Sequence, residues 1–346
     1  MRIAQQWFSN PTSNPILMNS AYAVSLAVLG RQTKCPRFLQ AAIEVYASAL
    51  RGLRRRLDDL HSDKMALAGI THMLAMTELF FVKSLDDARA RPNTRMTLLL
   101  IESYRQEPES SKAHPMFQAP TRLLATWESL ISRNLPPGVR TCHGDTATPS
   151  LGSLSTLSNL TIHTVSMIED SDDFCKQAER PVLKGILDVL NSLVQLESRI
   201  HSWIATHYQS TSGSLYHFSS TTKPSCGSET PIFRVAYDFS DLEGCILHIG
   251  YWMCLLTLVE SQLDIMAQYR DVLDPEPAEL IRLEKLSGEY ADNICMSIPF
   301  MGKRESRWSG KLFAIRPLRF LLAYFKKRSS WQKLGWCVQC AKDLEI

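Results

Sequence analysis

Apolar residues recur at intervals of three and four along most of the chain, and strict alternation of apolar and polar residues is scarce. The segment 36–57 shows the pattern clearly, with its apolar residues on one side and Arg51, Arg54 and Arg55 on the other. Such spacing places side chains on one face of a helix. The pattern therefore predicts an all-α fold, an irregular array of about ten antiparallel helices.

Prolines and small polar residues predict where several helices begin and end. Pro15 opens a helix that we expect to stop at a glycine cap on Gly30, and Pro36 opens the second helix. Ser240 or Asp241 caps a long helix that is almost entirely apolar. These signals place two helices near the N-terminus and one long helix in the second half of the chain.

Three further prolines predict boundaries in the second half. Pro181 opens the most amphipathic helix, whose apolar stripe runs over 182–204. Pro299 is expected to end a helix and Pro317 to begin the next one, because proline cannot donate a backbone hydrogen bond inside a helix. A last helix is expected around 331–344.

Composition divides the chain at one place. Residues 136–158 hold three prolines and three glycines among Ser and Thr, which is typical of a loop. We therefore expect an N-terminal helical part over 1–135, a flexible linker or insertion over 136–160, and a C-terminal helical part of the same domain over 161–346. A second polar connector is expected over 211–230.

The most apolar stretch is too short to cross a bilayer. It covers 245–259, whereas a span needs about 20 predominantly apolar residues. We interpret it as a core helix and expect no membrane association. The nine cysteines are an odd number and seven stand alone, which does not resemble a disulfide framework and favours a reducing intracellular compartment.

Positive charge collects at the ends of the chain. Residues 301–346 hold eleven Lys and Arg against three Asp and Glu, whereas 61–300 holds nineteen against twenty-nine. Two short clusters near the C-terminus have the composition of a nuclear import signal or of phosphate contacts, and solvated helix ends share that composition. They consist of Lys303 and Arg304, and of Lys326, Lys327 and Arg328.

Familiar catalytic and metal-binding motifs are missing from the sequence. It contains no H-E-x-x-H, G-x-S-x-G, G-x-x-x-x-G-K-[ST] or G-x-G-x-x-G pattern. Cys337 and Cys340 form a C-x-x-C pair without the second pair that a zinc site usually needs, so we interpret them as structural. His248 lies among apolar residues and is interpreted as a hydrogen-bonded core histidine. We expect no metal, no cofactor and no enzymatic activity.

Two other hypotheses stay open. An enzyme with an all-helical cavity would use His201, His207 or Cys142 as acid–base group or nucleophile, and it would bring two or three of these groups together in one cleft. A helical interaction scaffold would use the stripe over 182–204 as a partner surface, which an exposed apolar patch there would favour.

Several segments carry a resemblance to a known family. Residues 233–256 hold Phe-Arg-Val-Ala-Tyr-Asp-Phe before the long apolar helix, and 291–300 read Ala-Asp-Asn-Ile-Cys-Met-Ser-Ile-Pro-Phe. Three further parts of the chain match in order and spacing: 313–325, the dipeptide 336–337 and, near the start of the chain, 27–50. Together they resemble the fungal-specific transcription factor domain, the regulatory region that usually follows a zinc binuclear cluster. The likeness covers 15–85 and 180–345, while 86–160 departs from it.

The resemblance implies an all-helical domain that acts in the control of transcription. The family's DNA-binding module needs six cysteines around two zinc ions, and no cysteine precedes Cys35 here, so we expect no direct DNA binding. The expected partners are another transcription regulator or a small-molecule effector. The expected location is the nucleus, with the cytoplasm as the alternative, and the expected role is control of a fungal metabolic or biosynthetic gene set.

Overall fold

The structure, a computed structural model, describes residues 14–57, 64–81, 92–105, 115–136, 139, 153–177, 183–210, 216–220, 232–303 and 307–344. These residues form twelve helices and one antiparallel pair of strands, which confirms the predicted all-α multi-helix array with a slightly higher count. The helices are α1 (Pro15–Gln32), α2 (Pro36–Leu57), α3 (Lys64–Phe81), α4 (Pro92–Arg105), α5 (Pro115–Ser132), α6 (Ser153–Gln177), α7 (Leu183–Ser210), α8 (Leu242–Gln268), α9 (Arg270–Leu273), α10 (Pro277–Met301), α11 (Arg307–Lys327) and α12 (Trp331–Asp343). The strands are β1 (Tyr216–Ser220) and β2 (Val235–Phe239).

Helix α1 begins as predicted but ends later. The side chain of Asn14 accepts a hydrogen bond from the backbone N–H of Leu17 at 3.2 Å, which caps the start of the helix. The helix runs through Gly30 to Gln32, so the predicted glycine cap is wrong. A Cβ atom on Gly30 would lie 2.9 Å from the backbone nitrogen of Leu39 and 2.8 Å from its Cγ. The glycine is therefore required by the close approach of α2.

Two proline boundaries are also wrong. Helix α10 continues past Pro299 to Met301, and α11 passes through Pro317 instead of starting there. Each proline removes one backbone hydrogen bond from its helix. The neighbouring side chains Ile298 and Leu318 are buried, so packing of the surrounding turns holds the helices together across the interruptions.

The segments expected to be connectors contain regular structure. Helix α6 begins at Ser153, so residues 153–160 are helical, while 140–152 lie outside the described residues. Strand β1 lies inside the expected connector over 211–230 and pairs with β2, with Tyr216 opposite Phe239. Both strands carry aromatic side chains into the same region of the molecule. The sequence pattern did not predict β1, because its short alternation of apolar and polar residues lies among Ser and Thr.

The chain divides into two compact units. Among the described elements, the first contains α1 to α4 and α5 as far as Glu128, and the second contains Ser129–Asn134 and α6 to α12. In the first unit the Tyr46 hydroxyl donates to Glu78 at 2.7 Å and ties α2 to α3. The core between α1, α2 and α3 consists of Leu17, Ala49, Leu53, Leu67, Ile70 and Leu74.

The second unit is organised around α8. The Asp241 carboxylate accepts a hydrogen bond from the Gly244 N–H at 2.7 Å, which confirms one of the two predicted caps. Helices α6, α7 and α10 and strand β2 pack against α8. Within the described part of the chain, α8 is the one helix long and apolar enough to cross a membrane, and 83% of its most apolar window is buried. It is a core helix, as predicted.

We expect the substitution Gly30→Ala to destabilise the first unit by about 1–3 kcal/mol, because the added methyl group must displace the Leu39 backbone. Gly335→Ala is the matched control, since a Cβ there meets nothing within 4 Å and the helix gains about 0.5–1 kcal/mol of propensity. Urea unfolding followed by circular dichroism measures both. Equal stability of the Gly30→Ala variant and the wild type would refute the close contact.

Candidate functional site

The first basic cluster touches neighbouring side chains. Lys303 Nζ lies 2.6 Å from Asp238 Oδ1 and 5.3 Å from the centroid of the Phe300 ring. The two charged side chains are partly exposed, so this ion pair contributes little to stability. Arg304 lies outside the described residues. In the second cluster, Lys326 is exposed in the last turn of α11.

The other two residues of the second cluster meet a buried carboxylate. Glu260 lies on α8, and only 9% of its side chain is exposed. It accepts hydrogen bonds from Arg328 Nη2, from Lys327 Nζ at 3.1 Å and from the Ser287 hydroxyl at 2.7 Å. Lys327 and Arg328 therefore neutralise a charge inside the protein, in addition to any part they play at the surface.

These contacts continue as a chain of alternating charges through the second unit. Lys327 Nζ also binds both carboxylate oxygens of Asp264, at 2.7 and 3.0 Å. Arg133 reaches Asp264 at 3.6 Å and Asp172 at 2.8 Å. At the far end, Arg328 Nη1 lies 3.9 Å from Glu284 Oε1, which is a weaker contact. We call the connected residues the charge network: Asp172, Arg133, Asp264, Lys327, Glu260, Arg328 and Glu284.

Glu260 is ionised at neutral pH in spite of its burial. Burial by itself raises the pKa of this carboxyl, but the hydrogen bonds from Arg328 and Ser287 and the charge of Lys327 outweigh it, and the pKa falls below its ordinary value of 4.5. Burial by itself lowers the pKa of Arg328, but the hydrogen bond to Glu260 and the electrostatic interactions with Glu260, Tyr324 and Glu284 together outweigh it, and the pKa rises above its ordinary value. Glu260 and Arg328 are therefore both charged, and each stabilises the charged form of the other.

A polar cleft of about 330 Å³ opens beside Arg133. This residue follows α5 with φ of 50°, a backbone conformation that non-glycine residues seldom adopt and that is common at functional sites. Its Nε is buried without a hydrogen-bond partner, while its other nitrogens contact carboxylates. Cys175, Ser261 and Gln268 also line the cleft. The lining offers guanidinium, hydroxyl and amide groups and two carboxylates, which suits a small polar ligand.

A second cleft, of about 220 Å³, lies at the other end of the charge network. Arg328, Tyr324, Ser330 and Lys333 line it, and a Cβ on Gly288 would meet nothing within 4 Å at its edge. Because Asp264 lines the first cleft and Arg328 lines the second, one continuous set of ion pairs connects the two. A ligand bound in either cleft would contact residues of the charge network, and this network extends to the other cleft.

The candidate acid–base groups make separate contacts. His201 Nδ1 lies 2.8 Å from the Tyr251 hydroxyl, whereas His207 stacks on Trp203 with 6.3 Å between the ring centroids. Cys142 lies outside the described residues. Neither histidine lines the two clefts described above, so the described geometry does not assemble the site that the enzyme hypothesis requires.

His248 is a buried, hydrogen-bonded histidine, as predicted. Its Nδ1 lies 2.7 Å from the Gly244 carbonyl, which can only accept, so Nδ1 carries the proton. The Tyr208 hydroxyl then donates to Nε2 at 2.5 Å. Burial lowers the pKa of His248 and the backbone contact opposes this only in part, so the ring stays neutral. The residue ties α8 to α7 and does not serve as a proton donor at neutral pH.

The C-x-x-C pair lies in a protected setting. Cys337 is buried near Cys295 of α10, and burial raises the pKa of Cys340 well above its ordinary value. The seven cysteines within the described ranges are free thiols. Across the same ranges, no group of three or more His, Cys, Asp or Glu side chains is arranged to hold a metal ion. Because burial raises its pKa, the Cys340 thiol is a poor nucleophile, and the buried Cys337 fills the core as a small hydrophobe.

The sequence reasoning missed the centre of the charge network. Glu260 directly follows the apolar stretch 245–259, and an acidic residue on a helix expected to be buried signals a buried partner. Its partners Lys327 and Arg328 lie 67 and 68 residues away, so sequence position gave no means of pairing them. Arg133 gave no signal at all.

The fold and these contacts define the class of protein, an all-α protein whose second unit carries two polar clefts joined by ion pairs. No family model, no curated protein and no solved structure matches the chain. The resemblance to the fungal-specific transcription factor domain therefore stays a prediction from sequence motifs.

We expect Glu260→Gln to lower the free energy of unfolding by about 1–3 kcal/mol at pH 7, because the neutral amide loses the charge-assisted hydrogen bonds from Lys327 and Arg328. The pKa of Glu260 is lowered by folding, so its contribution is full above pH 4.5 and disappears as the pH falls through the folded-state pKa. The two unfolding curves should therefore converge in acid.

The matched control is Glu289→Gln, which breaks an exposed ion pair with Lys285 at 3.7 Å and should cost no more than about 0.5 kcal/mol. Urea titrations at several pH values compare the three proteins. A Glu260→Gln variant that loses the same stability at every pH would show that the carboxylate charge is not what the site depends on.

Proposed function

We propose that the chain is a regulatory protein of the transcription-factor type without its own DNA-binding module, acting through a protein partner or a small effector. The partner would be another transcription regulator, and the regulated genes a metabolic or biosynthetic set. This follows from the family resemblance, which is an argument by analogy, and from the physical form of the second unit.

One observation carries the proposal. Four of the five segments that resemble the family motifs supply buried residues to the second unit, and the fifth, 27–50, lies in the first unit. Their burial supports the proposal, because the motifs of the resemblance are packing motifs. The buried residues from these segments are Tyr237, Trp252, Ile294, Cys295, Ile298, Leu318, Leu322, Trp336 and Cys337.

The two clefts supply the surfaces that a regulatory protein needs. The cleft at Arg133 takes groups that accept and donate hydrogen bonds, and Arg133 is held by Asp172 and Asp264 in a fixed position. A ligand there competes with those carboxylates for the guanidinium. The charge network then responds at Lys327 and Arg328, which gives a physical route from ligand to the basic surface.

The enzyme hypothesis has less support. Catalysis needs acid–base groups or nucleophiles converging within hydrogen-bond reach of one substrate position. His201 and His207 contact different aromatic side chains, and burial keeps the thiol pKa values of Cys245 and Cys254 high. No described observation favours a particular reaction.

The scaffold hypothesis also has less support. On α7, the apolar stripe over 182–204 turns inward: Ile186, Leu193 and Ile200 are completely buried. Leu183, Leu187 and Val194 remain about half exposed, at 45%, 43% and 47%, and their spacing of four and seven residues places them in a narrow line along one edge of the helix. The stripe is a core face, so it does not offer the broad apolar patch that a partner surface would need.

A tethering experiment tests the regulatory function. The full chain is fused behind a heterologous DNA-binding domain in a fungal reporter strain, and we expect reporter output to change severalfold relative to the DNA-binding domain alone. A fusion carrying Leu256→Asp, which places a charge at a fully buried position, should lose the effect because the domain no longer folds. Output equal to that of the DNA-binding domain alone, from a fusion that is expressed and folded, would contradict the proposal.

Nuclear import is the second part of the proposal, and its test has to control for the ion pairs that the basic cluster makes with Glu260. A fluorescently tagged chain should accumulate in the nucleus, and replacing Lys326, Lys327 and Arg328 by Ala should abolish accumulation. That triple change also strips Glu260 of its partners, so a loss alone would have two explanations.

The variant Glu260→Gln separates them, because it breaks the same ion pairs and keeps all three cations. We expect it to stay nuclear. Loss of accumulation in both variants would mean that folding, and not the basic cluster, controls location. A uniform signal from the wild type would rule out autonomous import.

A further inference from the structure

The turn between α11 and α12 combines two serines with the basic cluster. Ser329 and Ser330 follow Lys326, Lys327 and Arg328 directly in sequence. Ser329 is exposed, with φ of 52°, and Ser330 stands at the start of α12 without making a side-chain cap hydrogen bond. The turn therefore presents a hydroxyl that the helix start does not use.

The charge pattern before Ser330 matches what a class of protein kinases recognises. Kinases that prefer basic substrates bind cations a few residues before the acceptor serine through acidic surfaces of their own. Lys327 and Arg328 stand three and two residues before Ser330, and Lys326 stands one further back. The side chains of Lys327 and Arg328 are 49% and 31% exposed, so a local opening of this turn is enough to present them.

The cleft next to the hydroxyl provides a place for a phosphoryl group. Ser330, Arg328, Lys333 and Tyr324 line the same cleft of about 220 Å³. Lys333 Nζ is held 2.5 Å from Asp292, and Arg328 is held by Glu260, so both cations have fixed positions beside the serine. A phosphate opposite such a pair gains one to three charge-assisted hydrogen bonds, and it would share each cation with an existing carboxylate.

We propose that Ser330 is a phosphorylation site for a basophilic serine kinase, and that the phosphoserine docks on Arg328 and Lys333 in this cleft. In the reaction a bond forms between Ser330 Oγ and the γ-phosphorus of ATP, and the bond from that phosphorus to the β–γ bridging oxygen breaks. The hydroxyl proton passes to the kinase's catalytic base, and ADP leaves. This inference rests on the turn and its cleft, and it does not depend on a role in transcription.

The docked phosphate has a measurable consequence for α12. The first N–H groups of this helix point toward its start, where a negative charge is favourable. With Arg328 and Lys333 drawn to the phosphate, hydrogen exchange in the first two turns of α12 should slow by about tenfold, the effect of one added hydrogen bond to a charged group.

The experiment uses the purified full chain, ATP and the catalytic subunit of cyclic-AMP-dependent protein kinase. Peptide mass spectrometry should find phosphate on Ser330, and hydrogen exchange should then show the slowing in α12. Incorporation should be lost in Ser330→Ala. It should be kept in Ser329→Gly, a control whose residue suits the positive φ at that position.

Three results would overturn the proposal. One is phosphate on Ser329 or elsewhere with none on Ser330. Another is labelling of Ser330 only after the chain is denatured in urea, which would show that the folded turn does not open to a kinase. The third is full labelling of Ser330 with unchanged exchange in α12, or the same slowing in a Lys333→Met variant, because the phosphate would then not dock on these cations.

Discussion

The burial of α8 is the constraint on which the second unit depends. An α-helix that is apolar on every side has to be covered on every side. Met253, Cys254, Leu255 and Leu256 are four successive residues that point in different directions around the helix, and all four are fully buried. Helices α6, α7 and α10 and the strand pair supply the cover. The aromatic side chains of β2 close one end, where Tyr237 stacks on Trp252.

The last turns of α8 carry acidic residues in place of apolar ones, and these residues determine which side chains pack around this end of the helix. Glu260 and Asp264 lie one turn apart on the same face, so one ammonium group can bind both. A buried carboxylate is tolerated only with a paired cation, and the turn after α11 brings Lys327 and Arg328 to it. The pairing restricts the turn to positions in which both cations reach the carboxylate. The same ion pairs also shape the walls of the two clefts.

Local signals predicted most of this fold, and tertiary contacts explain where they failed. The spacing of apolar residues predicted α2 and α8 because it depends only on neighbours along the helix. Gly30, by contrast, reads as a helix end from sequence, yet it serves a contact with Leu39 of the next helix. Lys327 and Arg328 lie more than sixty residues from the carboxylates of α8 that they bind, so only the folded chain brings them together.

The double use of Lys327 and Arg328 links stability to any function of the basic cluster. A receptor or kinase that takes hold of these cations must compete with Glu260, whose lowered pKa keeps it charged throughout the neutral range. Recognition of the cluster therefore requires a local opening of the turn, whereas Lys326 stays accessible in the closed form. Whatever strengthens the pairing at Glu260 should make the cluster harder to recognise, and whatever draws Arg328 away should make it easier. The charge network thus couples the folded core to the surface that a partner would contact.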